Sequence, residues 1–396
     1  MAWMNWLRKK RIFLDYASAT PVIPEALKAM KKYWAEEFYN PSAIYREALG
    51  VKDVLEEARI RVARLLGVSA SGVIFTSGGT ESDNLAILGS FEAARESFKK
   101  PHLVISAIEH PAVTETAEEI RRRGGSVSIV PVELDGTISL ESLKNALTKN
   151  TFLVSVGLAN GEIGTIQPLS KIGRIVRECR TENEGGYPLL HTDASQAPNY
   201  LDISLEKLNV DMMTIDGAKI YGPKGVGILA VRKNVKLHPT IFGGNQEGSR
   251  RAGSENIPSI VGLARALEIA VKDVLKESER LDILRKEFVD HIRKNLPRAV
   301  INGSVESRLP NIVSVSVPGI LAEFVVLKLE SEGVLASVGS ACSSDEREEG
   351  SPVIRAIGLG DLAARTVRFS FGRGTRRRDV KRAAEIFCRL ADSVLK

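Results

Sequence analysis

Cysteine is scarce in this chain: three in 396 residues, far apart at Cys179, Cys342 and Cys388. Three scattered thiols make no disulfide scaffold and fit a reducing compartment. Histidine is nearly as rare, with five. No C-x-x-C pair and no H-E-x-x-H occurs, so no conventional metal motif is present. No apolar run approaches the roughly 20 residues of a membrane-spanning helix. Residues 1–11, despite Trp3 and Trp6, lack the apolar core of a signal peptide. Neither sign of charge dominates, with 55 basic against 49 acidic residues and a net charge of +6. That excess is too small over this length to require a nucleic acid. The basic runs Arg8-Lys9-Lys10-Arg11, Arg121-Arg122-Arg123 and Arg376-Arg377-Arg378 have no interleaved aromatics and read as solvated faces. The expectation is a cytoplasmic protein with no membrane contact and no direct nucleic-acid partner.

The chain is 43% hydrophobic, with 33 Gly and 16 Pro. This composition excludes disorder and collagen-like repeats, and the length suffices for two domains. Apolar residues at helical spacing predict helices over 25–34 and 51–66, the second stopped by Gly67. Short apolar runs predict strands over 72–75, 103–106, 126–130, 151–158 and 189–192, with helical segments between them. Runs such as Phe152-Leu153-Val154-Ser155-Val156 do not alternate, as in strands covered on both faces. Strands separated by helices predict an α/β fold with a mostly parallel, doubly wound sheet. After about residue 248 the pattern changes. A long helical stretch over 258–296, strands over 312–317 and 367–370, and a closing helix over 378–395 read as a smaller α+β domain.

Four segments carry candidate chemistry. Thr76-Ser77-Gly78-Gly79-Thr80-Glu81-Ser82 joins a strand to a helix, and its backbone N–H groups can face an anion. A tight turn with capping hydroxyls explains the same residues. His191-Thr192-Asp193-Ala194-Ser195-Gln196 puts a carboxylate at the end of a parallel strand. There it can keep a heterocyclic nitrogen protonated, or merely cap a turn. Asp216-Gly217-Ala218-Lys219-Ile220-Tyr221-Gly222-Pro223-Lys224 ends another strand with two lysines, and either can form a Schiff base if burial frees its amine. Ser340-Ala341-Cys342-Ser343-Ser344 sets a thiol among small residues, ahead of the acidic run Asp345-Glu346-Arg347-Glu348-Glu349. A thiol there reads as a nucleophile, a ligand or an incidental surface cysteine.

In this order the segments resemble the cysteine desulfurases, NifS/IscS-like members of the class V aminotransferase family and of the fold-type I pyridoxal phosphate enzymes. The resemblance begins at Phe13-Leu14-Asp15-Tyr16-Ala17 and runs almost to the C-terminus. It includes Asn40-Pro41-Ser42, residues 76–84, Glu109-His110, 160–164, 193–196, 219–225, 251–256, Ser340-Ala341-Cys342 and Arg368-Phe369-Ser370. It implies a large cofactor-binding α/β domain over 15–258 and a small α+β domain over 259–396. Residues 1–14 would pack on the small domain, which carries the catalytic cysteine loop.

The resemblance also implies roles. Lys219, preferred over Lys224 by motif position alone, would hold pyridoxal phosphate covalently and move protons. Asp193 would pair with the pyridine nitrogen, and Gln196, with Asn160 nearby, would address the ring oxygen. His110 would stack on the ring and assist proton transfer. Gly79, Thr80 and, from the second subunit of a homodimer, Ser254 would hold the phosphate. Arg368 would clamp the carboxylate of L-cysteine through its bidentate fork, helped by Asn40. Cys342 would take the substrate sulfur as a persulfide, leaving L-alanine, and pass it to an acceptor in iron–sulfur assembly or tRNA thiolation. No metal ligand follows with certainty, Cys342 being the one candidate for a transient iron–sulfur ligand. Alternatives are a selenocysteine lyase or aminotransferase of the same superfamily, or a weakened scaffold homologue.

Three positions depart from the family pattern. Gly161 stands where Asn is usual, one residue after Asn160. Asp216 and Ala218 replace the Ser and His that usually address the phosphate. A carboxylate beside a dianion is repulsive. Asp216 must therefore turn away, take up a proton, or weaken the grip on the cofactor.

Overall fold

The computed structural model describes residues 11–183, 186–339 and 350–395. Strand β1 (Ile12–Phe13) is followed by β2 (Val73–Thr76), β3 (His102–Ser106), β4 (Ser126–Val130), β5 (Thr151–Ser155), β6 (Leu189–Asp193), β7 (Met212–Asp216) and β8 (Gly227–Val231). Strands β2 to β8 form a seven-stranded sheet in the order β2-β8-β7-β6-β5-β3-β4. Strand β8 runs antiparallel to both neighbours, and the remaining pairings are parallel.

The apolar runs fail to alternate because both faces are covered. Leu103, Ile105, Leu153, Leu189 and Met212 pack into one layer, and Val104, Val154, Leu190 and Met213 into the other. Helix Arg46–Leu66 buries Val51, Leu55, Ala58, Val62 and Leu66, and Gly67 ends it with φ 72° in the left-handed region. The helix expected over 25–34 divides into an α-helix, Pro24–Met30, and a 3-10 turn, Lys31–Trp34. Strand β5 stops at Ser155, three residues short of the expected end.

Strands β9 (Val300–Asn302), β10 (Ile312–Ser316), β11 (Val334–Leu335), β12 (Ser337–Val338) and β13 (Thr366–Ser370) follow. Four of them make an antiparallel sheet in the order β12-β13-β10-β9. The remaining strand, β11, pairs with β1, so the N-terminal segment lies on this part of the chain. Ile12 and Leu14 share a core with Phe288, Phe369, Phe371 and Phe387. The 39-residue helix Ile257–Asn295 joins the two cores, with Leu263 and Leu267 in the first and Leu281, Leu284, Phe288 and Ile292 in the second. The side chain of Asn256 caps it by accepting from the Ser259 N–H.

A buried ion pair sets the strand that leads into the first candidate segment. Arg59 donates to both carboxylate oxygens of Glu247, at 2.7 and 2.9 Å, and to the Val73 carbonyl at 2.9 Å. Glu247 also accepts from the Phe75 N–H at 3.0 Å. Its φ of 49° is a left-handed conformation that a non-glycine residue adopts at a cost. Removing one partner leaves an uncompensated buried charge. Glu247→Ala is expected to destabilise the protein by about 3–5 kcal/mol, measured as a shift in the urea unfolding curve.

Candidate active site

A cavity of about 340 Å³ opens where the parallel strands end. Its lining includes Ser106 at the end of β3, Asp193 at the end of β6 and Asp216 at the end of β7. The carboxyl edge of such a sheet is where α/β folds bind ligands, because loops diverge there and helix N-termini converge. Arg368 on β13 and Gly339 just after β12 close the cavity from the second core.

The turn after β2 feeds helix Gly79–Ala94. Thr76 and Ser82 hydroxyls share a hydrogen bond of 2.7 Å, and the Ser77 N–H donates to Glu81 at 2.8 Å. Arg251 holds Glu81 from the other side at 2.8 Å. The turn also depends on a glycine outside it. A Cβ on Gly227 would stand 2.6 Å from the Gly78 carbonyl carbon, so only glycine lets β8 pass this closely. Gly79 and Thr80 both line the cavity at the helix N-terminus, where free N–H groups favour an anion.

Asp216 does not turn away from this cradle. Its Cβ and Oδ2 lie 3.3 and 3.5 Å from the place a Cβ on Gly79 would take. Its Oδ1 accepts from the Ala218 N–H at 2.8 Å and so caps the short turn Gly217–Lys219. Burial pushes its carboxyl pKa up, against the opposing pull of the Ala218 N–H, the Lys219 charge and the Gly79 N–H.

The structure separates the two lysines that spacing alone left equal. Lys219 lines the cavity, and its Nζ donates to the carbonyls of Ala17 at 3.1 Å and Ser18 at 2.5 Å. Lys224 is exposed and does not line it. Asp193 faces the same space, its Oδ1 accepting from the Ser195 N–H at 2.9 Å. Gln196 donates to the Ala17 carbonyl at 2.9 Å and lies against Gly161, where a Cβ would come within 3.2 Å of its amide nitrogen. A side chain at 161 would press on the Gln196 amide. Asn160 lines the cavity with its amide already engaged: the oxygen accepts from the Glu162 and Ile163 N–H groups, each at 2.9 Å, and the nitrogen donates to the Ile108 carbonyl at 3.0 Å.

His110 sits at the N-cap of helix Pro111–Arg122, with its Nδ1 accepting from the Ala112 N–H at 3.1 Å. Nε2 is therefore the ring nitrogen left for proton exchange. Arg368 is buried. It donates to Asp15 at 2.8 Å, to the Ser18 hydroxyl at 2.6 Å and to the Gly161 carbonyl at 3.1 Å. Its Nε has no hydrogen-bond partner among the described residues. A buried guanidinium N–H without an acceptor suits a carboxylate ligand.

Three acidic residues given no role by the sequence analysis join the site. Asp83 is fully buried one turn into the helix, and its Oδ1 lacks a hydrogen-bond partner among the described residues. Burial, and then the charge of Asp193, pushes its carboxyl pKa well up. Glu109 accepts from the Gly157 N–H at 3.0 and 3.1 Å and from the Ser106 hydroxyl, and burial raises it to about 7. Asp15 is the partner of Arg368. Beneath Asp193, His191 bonds Ser155 at 2.9 Å and Thr214 at 3.1 Å, and burial lowers it to about 4, so it is neutral at pH 7. Asp83 and Glu109 lay within quoted motifs, but their burial is a tertiary fact.

The donor set fits pyridoxal phosphate. Carboxyls crowded around Asp193 favour a group that brings a cationic ring nitrogen, Lys219 offers an amine to an aldehyde, and the helix N-terminus offers N–H groups to a phosphate. Asn40 is not in this cavity, and Ser254, expected there only from a second subunit, does not line it in the single chain. Asn40 is exposed, accepting from the Ser42 N–H at 2.9 Å, and Ser254 is exposed in the segment beyond Arg251. Cys342 lies outside the described residues, as does the acidic run 345–349. The other two thiols are helical, and burial raises both, Cys388 to about 11. The arginines of the 121–123 run each pair with glutamates, as on a solvated face.

Comparison with known proteins agrees with this geometry. The aminotransferase class-V family model matches residues 12–383. A cysteine desulfurase IscS of Dictyoglomus turgidum is 38% identical over 388 residues, covering 98% of this chain and 96% of the relative. A cysteine desulfurase IscS 1 of Archaeoglobus fulgidus is 40% identical over 375 residues, covering 94% and 95%. Among solved structures, a NifS-like protein superposes with a TM-score of 0.88 at 33% identity, covering 97% of this chain and 100% of that one. A structure described as SspA in complex with cysteine superposes with a TM-score of 0.77 at 35% identity, covering 91% and 98%. The chain belongs to the class-V aminotransferase family, among its cysteine desulfurases.

Proposed function

We propose that this protein is a pyridoxal phosphate-dependent cysteine desulfurase that converts L-cysteine to L-alanine and leaves the sulfur on Cys342 as a persulfide. The observation that carries this reading is the meeting of Lys219, Asp193 and Arg368 in one cavity bordered by both ends of the segment that contains Cys342. Gly339, Pro352 and Val353 all line it. Cys342 is three residues from Gly339, a span of at most about 11 Å.

When bound, the cofactor supplies an electron sink that lets bonds at the substrate's α-carbon break. Lys219 would hold the cofactor through its aldehyde, and its amine is placed to move the substrate's α-proton. Asp193 would hold the ring nitrogen. Arg368, which lines the cavity, would take the substrate carboxylate, and Asp15 fixes the plane of the guanidinium meanwhile. His110 exchanges protons through Nε2. The Cys342 thiolate forms a sulfur–sulfur bond as the substrate's carbon–sulfur bond breaks. The carbon keeps the electron pair and takes a proton, which completes alanine.

A homodimer accounts for Ser254. Ser254 and Asn40 are exposed on one chain, and large apolar side chains at Trp34, Phe38 and Phe242 are 61, 67 and 83% exposed. A second copy that covers these faces can bring Ser254 to the phosphate. A cytoplasmic setting keeps a working thiol reduced. The sulfur acceptor is then an iron–sulfur scaffold or a tRNA-thiolation enzyme.

Cys342→Ala is expected to abolish sulfide release from L-cysteine plus reductant while the cofactor absorbance stays unchanged. Undiminished release would remove Cys342 from its role. Arg368→Lys keeps the charge and loses the fork. Its kcat/KM for L-cysteine should fall about 10- to 100-fold, mainly through KM, as charged hydrogen bonds of about 1.5–3 kcal/mol are lost. Steady-state kinetics at fixed cofactor occupancy measure this.

A further inference from the structure

The cradle expected for the phosphate already holds a negative group from the protein itself. Asp216 lies beside Gly79, with its Oδ2 3.5 Å from the Cβ position of that residue, and it faces the Gly79 N–H. The same N–H, with that of Thr80, opens helix Gly79–Ala94 toward the cavity. On its other side the carboxyl is tied at 2.8 Å to the Ala218 N–H. Ala218 has no side-chain donor to offer a phosphate in compensation. Ser195 closes the pocket, its hydroxyl 3.3 Å from that same Cβ position.

We propose that Asp216 and the cofactor phosphate compete for this one cradle, so that pyridoxal phosphate loads together with a proton taken from solvent by the Asp216 carboxyl. The proposal rests on the cofactor reading given above and adds a determinant of when the cofactor is held. A dianion and an ionised carboxylate cannot share backbone donors at a buried position without strong repulsion. A protonated Asp216 removes the repulsion and turns one oxygen into a donor toward the phosphate.

The surrounding groups favour protonation. The groups facing Asp216 are Lys219 on its own turn, Asp193 at the end of β6 and the buried carboxyl of Asp83 on the helix. The Asp193 charge opposes the Lys219 ammonium, and that ammonium is the group the cofactor aldehyde consumes. Burial already raises the Asp216 pKa before any phosphate arrives. Affinity is thus full at low pH and declines as pH rises past the pKa of Asp216 in the empty protein. The decline approaches about tenfold per pH unit when one proton accompanies each cofactor.

The test compares the full chain with its Asp216→Asn and Asp216→Ser variants, all stripped of cofactor and titrated calorimetrically from pH 6 to 8.5 in phosphate-free buffers. The probes are pyridoxine 5′-phosphate, which has no aldehyde to engage Lys219, and pyridoxine, which has no phosphate. Asn retains the acceptor for the Ala218 N–H, so at least one variant keeps the local turn. Both variants should bind pyridoxine 5′-phosphate more tightly than the parent, by a gap that widens with rising pH, up to about tenfold per unit, and narrows as pH falls. Pyridoxine should bind all three alike. Titration of the ligand phosphate is common to all three proteins and cancels. Equal affinities at pH 8, a gap of constant size at every pH, or the same tightening for pyridoxine would each overturn the proposal. Failure of parent and variants alike to bind pyridoxal phosphate itself would overturn the cofactor reading, and this proposal with it.

Discussion

Asp83, Glu109, Asp193 and Asp216 gather at the carboxyl edge of the parallel strands, and burial drives the pKa of Asp83, Glu109 and Asp216 upward. Buried carboxyls demand protons or cations, and under the proposed function each answer has a chemical use. A pyridine nitrogen beside Asp193 would gain its proton. An amine at Lys219 would gain counter-charge. Much of the surrounding chain keeps this arrangement in place. Asp83 rides on the helix whose N-terminus makes the anion cradle, and neutral His191 underlies Asp193 without adding charge.

Rigidity at the cradle and convergence of two cores at the mouth serve the same end. The Arg59–Glu247 pair grips β2 through Val73 and Phe75, just ahead of the turn that needs Gly78 and Gly227 in close contact. Helix Ile257–Asn295 enters both cores. Strand β13, from the second core, thereby presents Arg368 to a cavity built mostly by the first. Asp15 reaches the same guanidinium from the N-terminal segment that pairs along β11. The setting of Arg368 therefore depends on chain segments more than 300 residues apart in sequence, which meet only in the folded protein.

Much of this was legible in the residues. Apolar runs without alternation marked strands covered on both faces, and the clusters formed by Leu153 and Val154 show why. Motif order pointed to Lys219 and Asp193. Other features were not legible, for physical reasons. The antiparallel course of β8 leaves no trace in an apolar run, because strand direction is set by pairing. Spacing alone left Lys219 and Lys224 equal, and their difference in burial comes only with the fold. Asp83, Glu109 and Asp15 acquire meaning through neighbours distant in sequence. Asp216 was recognised as discordant, and its position beside Gly79 shows that the discord lies within the cradle. Asn40 and Ser254 sit outside the cavity of a single chain, so spacing along that chain could not place them.

The central claim is that this cavity binds pyridoxal phosphate through Lys219. Borohydride reduction of the cofactor-loaded protein, followed by digestion and peptide mass mapping, tests it most directly. The account predicts one reduced pyridoxyl adduct per chain, on Lys219. An adduct on Lys224 or on surface lysines, with Lys219 unmodified, would contradict it.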